Sequence, residues 1–67
     1  MGMTLVQARK RRQWDQKTLA RESGIDQSVI SRLETGHTKR PLYDTVKQLE
    51  DTLEIPRGTL VFGQATL

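Results

Sequence analysis

Three polar side chains in the run Gln27-Ser28-Val29-Ile30-Ser31-Arg32 carry the most usable hydrogen-bonding chemistry of this chain. The Gln27 amide offers a donor and an acceptor side by side, which matches the N6 and N7 edge of adenine, and the Arg32 fork matches the O6 and N7 acceptors of guanine. The Ser28 hydroxyl suits almost any base. On a helix, Gln27 and Arg32 are five residues apart and so stand about 140° from each other, at opposite edges of one face. Any such residue alone is more often an ordinary exposed polar side chain. Their joint position directly after Gly24-Ile25 favours base reading.

Other residues would supply anchoring. Gln16 opens a helix behind Asp15, where free N–H groups and the helix dipole attract a phosphate oxygen; a surface glutamine without a role is the alternative. Thr38, Lys39 and Arg40 form a basic stretch suited to phosphate contacts, which add affinity and fix register without carrying sequence information. A solvated charge pair is the plainer reading of the last two. The run Arg9 to Arg12 turns through about 300° on a helix, so its charges spread in several directions and favour structural and general electrostatic roles.

These residues need helices to position them. Thr4 and Gln7 have the spacing of a capping box, which predicts a first helix from about Leu5 to Arg12 with Leu5 and Ala8 inward and Trp14 as an apolar plug. Asp15 caps a second helix, Gln16 to Ser23, burying Leu19 and Ala20 and stopping at Gly24. Asp26 caps a third, Gln27 to Thr35, with Ile30 and Leu33 inward, Val29 at the boundary and Gly36 at its end. A polar loop, His37 to Pro41, leads to a fourth helix from about Leu42 to Leu53, with Val46, Leu49 and Leu53 at helical spacing and Tyr43 near them. Pro56 can start a short fifth helix. The fold class expected is all-α, a compact bundle of five short helices in one domain over 1–67. The small Ala20, the turn-forming Gly24 and the corner plug Ile25 make the second and third helices a tight helix-turn-helix, about 16–35.

Composition narrows the partners. Sixty-seven residues bury only about 60% of the surface of the unfolded chain, too little to spare for a deep catalytic cleft. The chain has no cysteine and one histidine, His37, which speaks against a disulfide framework, a thiolate-held zinc and a metal site built on His37 alone; no cofactor is expected. No apolar run approaches the roughly 18 residues of a membrane span, and a soluble, cytoplasmic protein is expected. Residues 1–40 hold nine Lys or Arg against four Asp or Glu, a net of +5, whereas residues 41–67 carry a net of −2. The basic half suggests a polyanion partner, with a merely solvated basic face as the alternative. His37 lacks a nucleophile to pair with, and the carboxylates form no dyad that the sequence can place, so an enzyme is not expected.

At these residues the sequence resembles the Cro and lambda-type phage repressor family of helix-turn-helix proteins, also called the xenobiotic response element family. The match runs Q-x-x-L-A-x-x-x-G-I-x-x-x-x-I-S-R-L-E-x-G from Gln16 to Gly36 and continues into T-K-R-P (Thr38 to Pro41) and T-V-x-x-L-x-x-x-L (Thr45 to Leu53). The resemblance implies a third helix in the DNA major groove and a second across the phosphate backbone. On matched positions it puts Gln27, Ser28 and Arg32 at the bases, Gln16, Thr38, Lys39 and Arg40 at phosphates, and Arg9 with Glu34 in an internal ion pair. Gln13 departs from the family where glycine commonly ends the first helix. Ser23 replaces an apolar residue and Glu50 a small one, and both are expected to weaken core packing.

The function implied is a sequence-specific double-stranded DNA-binding transcriptional regulator, a repressor, working as a dimer on a two-half-site operator. Two alternatives stand beside it. One is an antitoxin-type interaction module whose main partner is a toxin, for which no extra segment is obvious. The other is RNA binding, which would want stacking aromatics where Trp14, Tyr43 and Phe62 are mostly assigned to the core. For the dimer contact, Leu60, Val61 and Phe62 offer more apolar surface than one short helix can bury, although all three completing the monomer core is the other reading. No long oligomerisation domain follows them, so a homodimer weak when free and paired on DNA is expected.

Overall fold

Local chemistry starts each helix of the computed structural model, which describes residues 2–62. Helix α1 is Leu5–Arg11, opened by a complete capping box between Thr4 and Gln7. Helix α2 is Gln16–Ser23, where the Asp15 carboxylate accepts the Thr18 N–H at 2.8 Å. That bond holds the Asp15 pKa below its ordinary value. Helix α3 is Gln27–Thr35, with the Asp26 carboxylate accepting from Ser28 at 3.0 Å. Helix α4 is Tyr43–Leu53; Leu42 is its N-cap and offers no side-chain acceptor.

Four helices are found among the described residues where five were expected. Pro56 begins a turn instead, closed by the Thr59 N–H on the Pro56 carbonyl at 3.1 Å. Gly58 then takes a φ of 85°, a left-handed conformation that ends any helical path. Beyond it the chain is extended, and Leu60 pairs with Met3 in an isolated parallel bridge. The N–H groups of Gly58 and Leu60 both go to the Glu50 carboxylate at 3.0 Å, so none is left to build a helical ladder. Smaller differences concern ends: Arg12 caps α1 rather than extending it, and Leu42 caps α4.

Leu5, Ala8, Leu19, Ile30, Leu33, Leu49, Leu53 and Leu60 form one core shared by all four helices and the C-terminal segment. Ala20, Val29, Val46, Trp14 and Phe62 pack partly against it. Tyr43 does not, contrary to expectation: it is 72% exposed, because the chain enters α4 there and turns its first residue to solvent.

Ser23 and Glu50, expected to weaken the core, are instead buried and bonded. The Ser23 hydroxyl accepts the Ile25 N–H at 3.2 Å, and the Ser23 carbonyl accepts from the Gln48 amide of α4. Both bonds tie down the turn between α2 and α3, where Gly24 adopts a φ of 74°. Glu50 holds the C-terminal segment, as described above.

Gln13 occupies the turn after α1 with a φ of 60°. A side chain in that left-handed region costs about 1–2 kcal/mol, partly offset by the greater unfolded-state freedom of glycine. Gln13→Gly is therefore expected to raise stability by about 0.5–1 kcal/mol. Urea denaturation followed by circular dichroism checks it, and a destabilised variant would mean that the Gln13 side chain makes contacts worth more than its strain.

Candidate nucleic-acid interface

Helix α3 has two unlike sides. Ile30 and Leu33 are buried against the core, while Gln27, Ser28 and Arg32 are exposed and Ser31 is half-exposed. With 100° per residue, Ser31 lies about 40° from Gln27, and Arg32 about 40° from Ser28. The four polar residues thus form one continuous outer surface on a helix whose inner surface is locked by packing. Amide, hydroxyl and guanidinium groups held this way can meet the donor and acceptor pattern of a groove.

Behind this surface lies a connected set of hydrogen bonds. Arg9 of α1 forms a two-pronged ion pair with Glu34 of α3, Nε to Oε2 at 2.6 Å and Nη2 to Oε1 at 3.0 Å. Arg9 Nη1 also donates to the Trp14 carbonyl at 2.9 Å. The side chains are 13% and 5% exposed, so the pair is shielded from water. The hydrogen bond to Glu34 raises the Arg9 pKa, with desolvation opposing it.

Glu34 Oε1 accepts a third bond, from Gln16 Nε2 at 2.9 Å. This turns the Gln16 amide so that its oxygen faces the Gln27 Nε2, at 3.5 Å. Gln16 is therefore half-buried and linked to α3 through its side chain, a role its spacing did not disclose. The helix start it occupies still has donors to offer: Asp15 takes the N–H of Thr18, and those of Gln16 and Lys17 precede the helical ladder.

The loop after α3 is anchored at its base, where the Thr38 N–H donates to the Arg32 carbonyl at 3.1 Å. Thr38 is half-buried, and Lys39 and Arg40 are exposed beside it. Within Arg9 to Arg12 the roles divide. Arg9 is internal, Lys10 and Arg11 are exposed, and Arg12 ties α1 to the end of α4 by donating to the Leu53 carbonyl at 3.2 Å while stacking 4.6 Å over the Trp14 ring.

Of the apolar C-terminal residues, Leu60 is buried in the monomer core, and Val61 and Phe62 are half-buried. Sequence reasoning misses Gln48 and reads Glu50 only as a substitution that weakens packing. Glu50 carried a signal: it lies four residues after Val46 and three before Leu53, on the apolar side of α4, where a carboxylate must find donors. Gln48 carried none. Among the described residues no group of His, Asp or Glu could hold a metal ion, and no helix is long and apolar enough to cross a membrane.

A family model described as helix-turn-helix matches residues 5–60, which takes in all four helices and the extended segment as far as Leu60. No curated protein and no solved structure matches the chain.

Proposed function

Because the chain belongs to the helix-turn-helix family of Cro/C1 type, we propose that it is a sequence-specific double-stranded DNA-binding regulator, a repressor that reads the major groove with α3. The observation that carries this reading is the exposed row of Gln27, Ser28 and Arg32 on a helix fixed from behind by the core. Base contacts come from that row. Phosphate contacts come from the start of α2 at Gln16 and from Thr38, Lys39 and Arg40, all on segments that flank α3.

A single short reading helix addresses only a few base pairs, so specific affinity requires two copies on half-sites about one helical turn apart. Val61 and Phe62 are the proposed contact between copies. Leu60, already used by the monomer core, supports them from beneath. The association is weak in the free protein and completed on DNA. Tyr43 is one exposed ring, against the several stacking surfaces that single-stranded RNA recognition uses.

Selection of bound sites from random duplex DNA tests the proposal. The expected result is a recovered motif with two inverted halves. Failure to enrich any motif would favour the protein-interaction alternative, in which a toxin is the main partner.

A further inference from the structure

We infer that Glu50 is a positioning residue for an interface with a second copy of this chain: its buried carboxylate fixes residues 58–62 so that Val61 and Phe62 complete an apolar face beside the end of α3. The inference rests on the proposed binding of two copies to two half-sites.

Glu50 is 2% exposed and sits among leucines, and no salt bridge to it occurs among the described residues. An apolar residue would fill that place without the cost of burying a polar group. What the carboxylate adds is local: one oxygen, Oε2, accepts the N–H of both Gly58 and Leu60 at 3.0 Å. Both bonds act on a segment with no helix of its own.

The N-terminus holds the same segment from the other side. Met3 N–H donates to the Thr59 carbonyl at 2.8 Å, and Val61 N–H donates to the Met3 carbonyl at 3.0 Å. Gly2 packs so closely on Val61 that a Cβ there would collide with it. Extended backbone alternates its side chains, so with Leu60 turned into the core Val61 faces outward. Val61, and Phe62, which also packs partly on the core, line a groove of about 180 Å³ with Val6 and Leu33, and Thr4, Glu34 and Thr35 line it too.

A second copy is the occupant that fits this face. The domain measures 33 × 23 × 22 Å, and reading helices on adjacent half-sites stand roughly 34 Å apart. With the 33 Å axis along the DNA, neighbouring copies come within contact distance, and the groove borders the end of α3 itself. Of two other clefts, one is lined mainly by charged residues, Asp44, Lys47 and Asp51, and the other mixes Arg11, Arg12 and Glu54 with Ala8, Leu53 and Ile55. The apolar face is small beside the roughly 800 Å² per partner of a stable interface, which suits a pair that forms only when DNA holds both members.

The test compares duplexes bearing one or two copies of the half-site recovered by selection. Glu50→Ala is expected to keep affinity for the single half-site within about twofold while cooperativity on the double site falls about tenfold or more. Glu50→Gln keeps an acceptor oxygen and should restore most of it, and the retained single half-site affinity of Glu50→Ala separates loss of this face from folding damage. If Glu50→Ala does not fold, Val61→Ser reaches the same face with the Glu50 hydrogen bonds intact and should also lose cooperativity. Wild-type cooperativity in both Val61→Ser and a folded Glu50→Ala, or its loss instead in Leu42→Ser at the other exposed apolar site, overturns the inference while the DNA reading stands. A wild-type chain that binds no duplex overturns the DNA reading first, and the inference with it.

Discussion

Glu34→Ala is expected to cost about 3–5 kcal/mol of folding stability, the loss that follows when one partner of a shielded ion pair is removed. A domain this small rarely has more than about 3–5 kcal/mol in total, so the variant should be largely unfolded at room temperature. Three hydrogen bonds end on the Glu34 carboxylate, two from Arg9 and one from Gln16. Without it the Arg9 guanidinium, only 13% exposed, keeps the Trp14 carbonyl and the more distant charge of Asp15 but no ion pair. An exposed pair would be worth about 0–1 kcal/mol, and the difference lies in the loss of water around both groups. Paired substitution separates charge from packing: Arg9→Met with Glu34→Leu removes both charges and should recover much of the stability lost by Glu34→Ala. Urea denaturation of the four proteins in a cycle of Arg9→Ala and Glu34→Ala, run in a stabilising osmolyte so that Glu34→Ala has a folded baseline, measures the coupling. A Glu34→Ala loss below about 1 kcal/mol would show that the pair behaves as a surface pair.

Gln27→Ala is expected to weaken binding to the best selected site by about 1–3 kcal/mol, on the order of five- to 150-fold, and to relax preference at one base pair. Arg32→Ala should do the same at a different base pair, since the two side chains stand at opposite edges of the outer surface of α3. The size of the Gln27 effect depends on its amide being held in place before DNA arrives. Glu34 sets the orientation of Gln16, and Gln16 faces Gln27. Lys39→Ala serves as the contrast: it should weaken all sequences alike and lower the salt slope by about one, because a phosphate contact releases counterions whatever the base. Titrations at several salt concentrations on the selected site and its single-base variants distinguish the two behaviours. An unchanged base preference in Gln27→Ala, together with an altered one in Lys39→Ala, would reverse the division of roles.

The sequence by itself determined the four helices and the bend between α2 and α3. Thr4, Asp15 and Asp26 cap, Gly24 and Gly36 stop, and the apolar residues repeat at helical spacing, all within a few residues of the bonds they control. Helix ends were placed to within one residue for that reason, and the outer row of α3 followed from the same periodicity. Tertiary structure alone decided what the remaining groups do. Pro56 is compatible with a helix start, yet residues 58–62 extend because Glu50 and Met3 supply partners for their N–H groups. Tyr43 could serve the core or the surface at its spacing, and the direction in which α4 leaves the loop sets it in solvent. Arg9 and Glu34 are 25 residues apart, and only the packing of α1 on α3 removes the water that would have made their attraction weak. Torsional preference and capping act over one or two helical turns, whereas the worth of a charge or of an unpaired N–H depends on which distant groups the fold brings beside it.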